Sequence, residues 1–100
     1  MVAKKKKQTA LQICILTVTG KDKVGIIARI AASMARANIN ILDVSQRIME
    51  EYFVMTMAVD ISRATIDMTQ IQRQLNKIAG EMDLNITFQN ENIFKMMHRV

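Results

Sequence analysis

Gly20-Lys21-Asp22-Lys23-Val24-Gly25 stands where an apolar run ends and a helical pattern begins, and these residue types suit a tight strand-to-helix turn able to hold a small ligand. Gly20 and Gly25 permit positive φ and close backbone approach, and Asp22 is placed to cap the new helix. The first-turn amides beyond it have no partner inside a helix and offer donors to a polar or charged molecule. The same six residues also serve as a capped connection and nothing more, so spacing alone leaves both readings open.

The chain around this turn is 100 residues long, half of them hydrophobic, with no proline. That length makes one domain, and the composition favours continuous elements over a disordered linker. The net charge is +5, but four of the fourteen basic residues form the run Lys4 to Lys7, and without them the balance falls to about +1. Residues 1–10 therefore read as a basic disordered tail and residues 11–100 as a single domain. Cys14 is the only cysteine and sits in an apolar run, which excludes an internal disulfide and a cysteine-based zinc site and suits the cytoplasm. His98 has no second ligand nearby in sequence, so neither metal nor cofactor is expected. Ile13 to Val18 is too short to cross a bilayer, so no membrane association is expected.

The periodicity supplies the elements that position the turn. Leu11 to Thr19 is apolar at both parities, the pattern of a central strand buried on both sides. Ile27, Ile30, Ala31 and Met34 recur at helical spacing opposite Arg29, Ser33 and Arg36, which predicts a helix from about Lys23 to Ala37 with Asn38 as a left-handed stop. Ile39 to Met49 and Tyr52 to Asp60 read as strands joined at Glu50-Glu51, a gap suited to an antiparallel hairpin. Asp67 and Gln70 are spaced as a capping box ahead of a helix from Met68 to Glu81, with Gly80 near its fraying end. Leu84, Ile86 and Phe88 alternate with polar residues as a last strand. Ile93, Phe94, Met96 and Met97 suggest a short terminal helix.

The order βαββαβ with right-handed crossovers gives a ferredoxin-like α+β sandwich. It has a four-stranded antiparallel sheet, the first and third strands central, two helices on one face and a short C-terminal helix. The other sheet face has no cover within the chain, and the third strand is apolar on both sides. Self-association is the simplest way to bury that face, and a terminal helix folded back over it is the alternative.

These residues carry a family resemblance. Val18 to Ile48, VTGKDKVGIIARIAASMARANINILDVSQRI, resembles the first half of an ACT domain, whose pattern is a strand, a D-[RK]-x-G-[IVL] turn, a helix and an N-[IV]-x-[IV] start to the second strand. The likeness extends over Leu11 to Phe88, and GKDKVGIIA, NINILDVSQ and the ending Ile93 to Val100 are similar to short stand-alone members of that family. The resemblance implies a regulatory homodimer, or a higher homo-oligomer, binding an amino acid or similar small effector between the turn of one subunit and the second strand of the other. It places ligand contacts at Asp22, Gly25, Ile26 and Asn40, with Gly20 beside them. The output would pass to a regulated enzyme or transcription regulator. The polar residue and the proline that some amino-acid-binding members carry at the positions of Gly20 and Val24 are absent.

Asp22 suits an ammonium group, Gly25 leaves room over the helix amides for a carboxylate, and Asn40 offers a donor and an acceptor. Each also has a plainer role: Asp22 as an N-cap, Asn40 as a strand start. Asp43, alternating with Ser45 and Arg47, reads as a polar strand face. Catalysis is not expected: acylphosphatases share this plan and cradle phosphate in the first turn, but the one candidate arginine, Arg29, lies a full turn beyond Gly25 on the polar face. RNA recognition needs stacking aromatics on the central strands, and Tyr52 and Phe53 point to opposite faces.

Overall fold

The computed structural model describes residues 10–98, so all of the basic tail except Ala10 lies outside the described residues. The elements are β1 (Ile13–Lys21), α1 (Ile26–Arg36), β2 (Asn40–Met49), β3 (Tyr52–Asp60), α2 (Met68–Met82), β4 (Leu84–Asn90) and α3 (Glu91–Met97). The strands form one antiparallel sheet in the order β2-β3-β1-β4, with β1 and β3 central as the two crossovers require. This is the ferredoxin-like plan the sequence predicts.

Local chemistry explains the boundaries. Asn38 adopts φ 58° and ends α1, its Nδ2 donating to the Arg63 carbonyl at 3.0 Å. The β2–β3 hairpin closes over Glu50-Glu51 with Glu50 at φ 60° and Met49 opposite Tyr52. The Asp67–Gln70 capping box is complete, with Asp67 Oδ1 accepting from the Gln70 amide at 2.9 Å and Gln70 Oε1 from the Asp67 amide at 3.0 Å. Helix α2 runs through Gly80 to Met82, one residue beyond the expected Glu81, and stops at Asp83, φ 56°, so Gly80 does not mark its end.

The core lies between the sheet and the two long helices. Leu16, Val18, Met55, Met57 and Val59 meet Ile30, Met34, Ile71 and Leu75, all of them buried. Alternation along β1 and β3 shows that the expectation of burial on both sides was too strong. Cys14, Leu16 and Val18 are buried on the helix face, while Ile13, Ile15 and Thr17 on the other face are half-buried. Helix α1 is rotated from its expected setting: Ser33 is buried and Ile27 exposed. Ser33 tolerates burial because its hydroxyl donates to Gln74 Oε1 of α2 at 3.1 Å, a polar contact between helices that periodicity cannot show.

The helix-free face is half covered. Gln89 stands opposite Ile15 in the register, on the face away from the core, and its Nε2 reaches Met97 Sδ at 2.9 Å. Helix α3 packs against β1 and β4 and touches neither α1 nor α2. It therefore lies over the β1–β4 half of that face, and no helix covers the β2–β3 half, where Asp43 and Arg47 of β2 stand exposed opposite Ala58 and Val54. Across the middle runs a row of short hydroxyl side chains, Ser45, Thr56, Thr17 and Thr87, with Thr17 and Thr87 hydrogen-bonded to each other.

Candidate functional site

The turn after β1 does not have its expected form. Helix α1 begins at Ile26, and its N-cap is Gly25 at φ 94°, with no side chain bonded to the first-turn amides. Asp22 is thus not the cap. Its backbone amide donates to the Glu51 carbonyl at 2.8 Å, which ties the turn to the β2–β3 hairpin. Lys23 completes the anchorage, its Nζ donating to the Met82 carbonyl at the end of α2 at 2.6 Å, where a cation suits the helix dipole.

The consequence is a helix terminus without an internal acceptor. The first backbone bond of α1 runs from the Arg29 amide to the Gly25 carbonyl at 2.9 Å, so the amides of Ile26, Ile27 and Ala28 precede the helical ladder. These residues line a cleft of about 250 Å³ together with Asp22, Lys23, Gly25, Gln46, Ile48 and Phe53. A Cβ built at Gly25 would meet nothing within 4 Å, so open space lies over the terminus, and the positive φ keeps the position a glycine. One wall is apolar, from Ile26, Ile48 and Phe53. Polar groups converge from Asp22, Gln46 and the helix end. An anionic group fits the amides, a cationic one fits Asp22, and an uncharged body fits the apolar wall.

Of the five residues singled out in the sequence, Asp22, Gly25 and Ile26 meet in this cleft. Gly20 lies within β1 between Phe53 and Leu84, where an added Cβ would fall 2.8 Å from Leu84 Cδ2 and 3.2 Å from the Asp83 carbonyl. Asn40 is at the far end of β2, roughly 30 Å along the strand from Met49 at the usual rise per residue. It lines a separate cleft of about 230 Å³ with Asn38, Asp60 and Arg63. Within one protomer, then, Asn40 and Asp22 are not brought together. Gln46, Ile48 and Phe53 were missed in the sequence, although Gln46 is a polar break in the Val44-Gln46-Ile48 face that pairs with Met57, Met55 and Phe53.

Asp60 organises the second cleft. Its carboxylate accepts from the Gln12 amide at 3.1 Å, the Ser62 amide at 3.0 Å and the Ser62 hydroxyl at 3.1 Å. The Ser62 and Gln12 amides, with Arg63 nearby, hold its pKa below the usual carboxylate value. A lowered native pKa adds stability above the unfolded value of about 4, and that contribution is lost as the pH falls through the native value. Asp60→Asn should therefore flatten the loss of stability below about pH 4, measured as midpoint against pH in thermal melts.

Arg29 pairs with Glu81 of α2, which lowers the Glu81 pKa and commits the guanidinium away from the turn. Burial pushes the Cys14 thiol up, as expected of a core residue. Two larger clefts of about 430 Å³ each exist, one along the outer side of α2 and one around Gln12 and Glu91, but neither joins an uncapped helix end to an opposing strand. Among the described residues, no group of three or more metal-ligating side chains is found, and no helix is long and apolar enough to cross a membrane.

The chain is thus a ferredoxin-like domain whose first turn leaves a helix end open toward an edge strand. An ACT domain family model matches residues 12–89, and the chain belongs to that family. The UPF0237 protein MJ1558 of Methanocaldococcus jannaschii is 43% identical over 86 residues, covering 86% of this chain and 96% of that protein. An ACT domain protein from Streptococcus pneumoniae has a structure similar at a TM-score of 0.73 and 32% identity, covering 86% of this chain and 97% of that one. The regulatory subunit of aspartate kinase from Thermus thermophilus shares the fold at a TM-score of 0.61 and 16% identity, covering 80% and 52%. Such domains are typically regulatory and bind ligands.

Proposed function

We propose that this protein is a non-enzymatic regulatory domain that binds a small zwitterion, an amino acid, in the cleft between the α1 terminus and β2, and that it works as a pair of copies joined along β2. The observation that carries the reading is the helix end opened by Gly25, with Asp22 and Gln46 beside it. A helix terminus adds only about 0.3 to 1 kcal/mol per favourable charge, so the ammonium and apolar contacts must act with it.

The edge of the sheet supports the pairing. It is an edge strand, and Leu42, Val44 and Ile48 on it are exposed, Ile48 by 55%, while Val24 and Ile27 on the adjoining turn and helix extend the apolar strip. Two β2 strands paired antiparallel about a twofold axis bring Asn40 of one copy toward the Met49 end of the other, beside the turn that holds Asp22. The separation of the two clefts within one protomer is then bridged by the second copy. In the cytoplasm, the occupied pair would pass its state to a regulated enzyme or transcription regulator, since effector binding shifts an equilibrium only toward the state it binds better.

The test is a thermal-shift screen of the full chain against the twenty amino acids, repeated with Asp22→Ala and Gln46→Ala. A ligand at 100 times its dissociation constant adds about 2.7 kcal/mol, a rise of several degrees in the midpoint. The expected result is at least one amino acid that raises the midpoint in the parent and not in either variant. Silence across the panel would leave an interaction module that takes no amino acid.

A further inference from the structure

We infer that the half-covered sheet face is a second self-association surface, in which the α3 of one copy lies in the open β2–β3 half of another. The inference is independent of the ligand site and of the β2 edge. It starts from an asymmetry: α3 occupies the β1–β4 half of the face and the other half is empty.

Both halves carry apolar surface with no cover. Helix α3 has no buried residue, and Ile93, Met96 and Met97 are exposed, Met96 by 72%. The open half presents Val54 and Ala58, half-buried, with Tyr52 and Met49 exposed at one end and the exposed Arg47 opposite Val54. Ser45 and Thr56 keep its middle shallow. A helix of seven residues is about 10 Å long, and two strands span about 10 Å, so the piece and the gap match in size.

A twofold axis parallel to the strands, between β3 and β1, exchanges the two halves. It leaves each residue's level along the strands unchanged and swaps β2 with β4. Asp43, Ala58, Ile15 and Gln89 form one row, so the position that answers Gln89 across the axis is Asp43. The end of α3 that sits on Gln89 carries the exposed Lys95, whose Nζ lies 3.5 Å from the Glu91 carboxylate of its own helix, and the exchange sets that ammonium over the Asp43 carboxylate of the second copy. Charge and shape thus agree on the same operation.

The axis of this contact does not meet that of an edge pair, which stands normal to the sheet at β2. Used together, the two contacts link copies into a growing row. Light scattering with gel filtration, on the full chain over roughly 5 to 200 μM, tests this with Met96→Glu and Thr56→Arg, both at exposed positions whose melting midpoints confirm folding. The parent should exceed a dimer, with mass rising with concentration, and each variant should stop at two copies. In Ile48→Glu, the face contact alone should still give a dimer; if the edge reading fails, the parent is instead a dimer that either face variant reduces to monomer. Masses unchanged from the parent in both Met96→Glu and Thr56→Arg would overturn the inference, whatever the ligand screen returns.

Discussion

Leu16→Ala should lower the melting midpoint by roughly 10 to 30 °C and leave the protein largely unfolded at moderate urea. Leu16 is fully buried at the centre of β1, paired with Met57 on one side and Phe88 on the other. Truncation removes the transfer free energy of three carbons and leaves a cavity that the β1 ladders on both sides prevent from closing. Such changes cost about 2 to 5 kcal/mol, and in a domain of this size each kcal/mol moves the midpoint by about 4 to 8 °C. Because β1 ends in the Gly20–Gly25 turn, the same variant should weaken any response to ligand in proportion to the unfolded fraction. A drop of under 3 °C, read by circular dichroism, would mean that the sheet centre relaxes around the lost side chain.

Gly20→Val should cost about 1 to 3 kcal/mol without touching the cleft chemistry. A Cβ there falls 2.8 Å from Leu84 Cδ2 and 3.2 Å from the Asp83 carbonyl, and the second of these is backbone at the left-handed end of α2. The flexible Leu84 tip can move aside; Asp83, held at φ 56° between α2 and β4, yields less easily. The expected outcome in urea melts is a lower transition midpoint with an unchanged m-value. A normal midpoint combined with a lost thermal-shift response would instead make Gly20 a ligand contact. The experiment thus separates the packing role that the structure gives this glycine from the binding role that the family resemblance implies.

Residue order determined the architecture because alternation and helical spacing are local properties that burial on one face enforces. The β3 limits, the Asn38 stop and the Asp67–Gln70 box follow from the sequence with no knowledge of neighbours, since each depends on residues within one turn or one strand. Asp22, Gly25 and Ile26 were legible as one cluster for the same reason: they lie within five positions of each other, and a glycine before an apolar helical run marks a terminus.

What the tertiary structure decided is everything that depends on contacts between elements. Asp22 gave up the cap because its amide is drawn to Glu51 of the hairpin, and Ser33 entered the core because Gln74 of α2 receives its hydroxyl. Gln46, Ile48 and Phe53 joined the cleft because β2 and β3 pass beneath α1, a fact carried by strand order and not by spacing. Asn40 was separated from Asp22 by the length of a strand, which only the register reveals. The sequence selects which faces are apolar, by chemistry local to each residue; which apolar face meets which, and which stays open, is settled by the packing of the whole sheet.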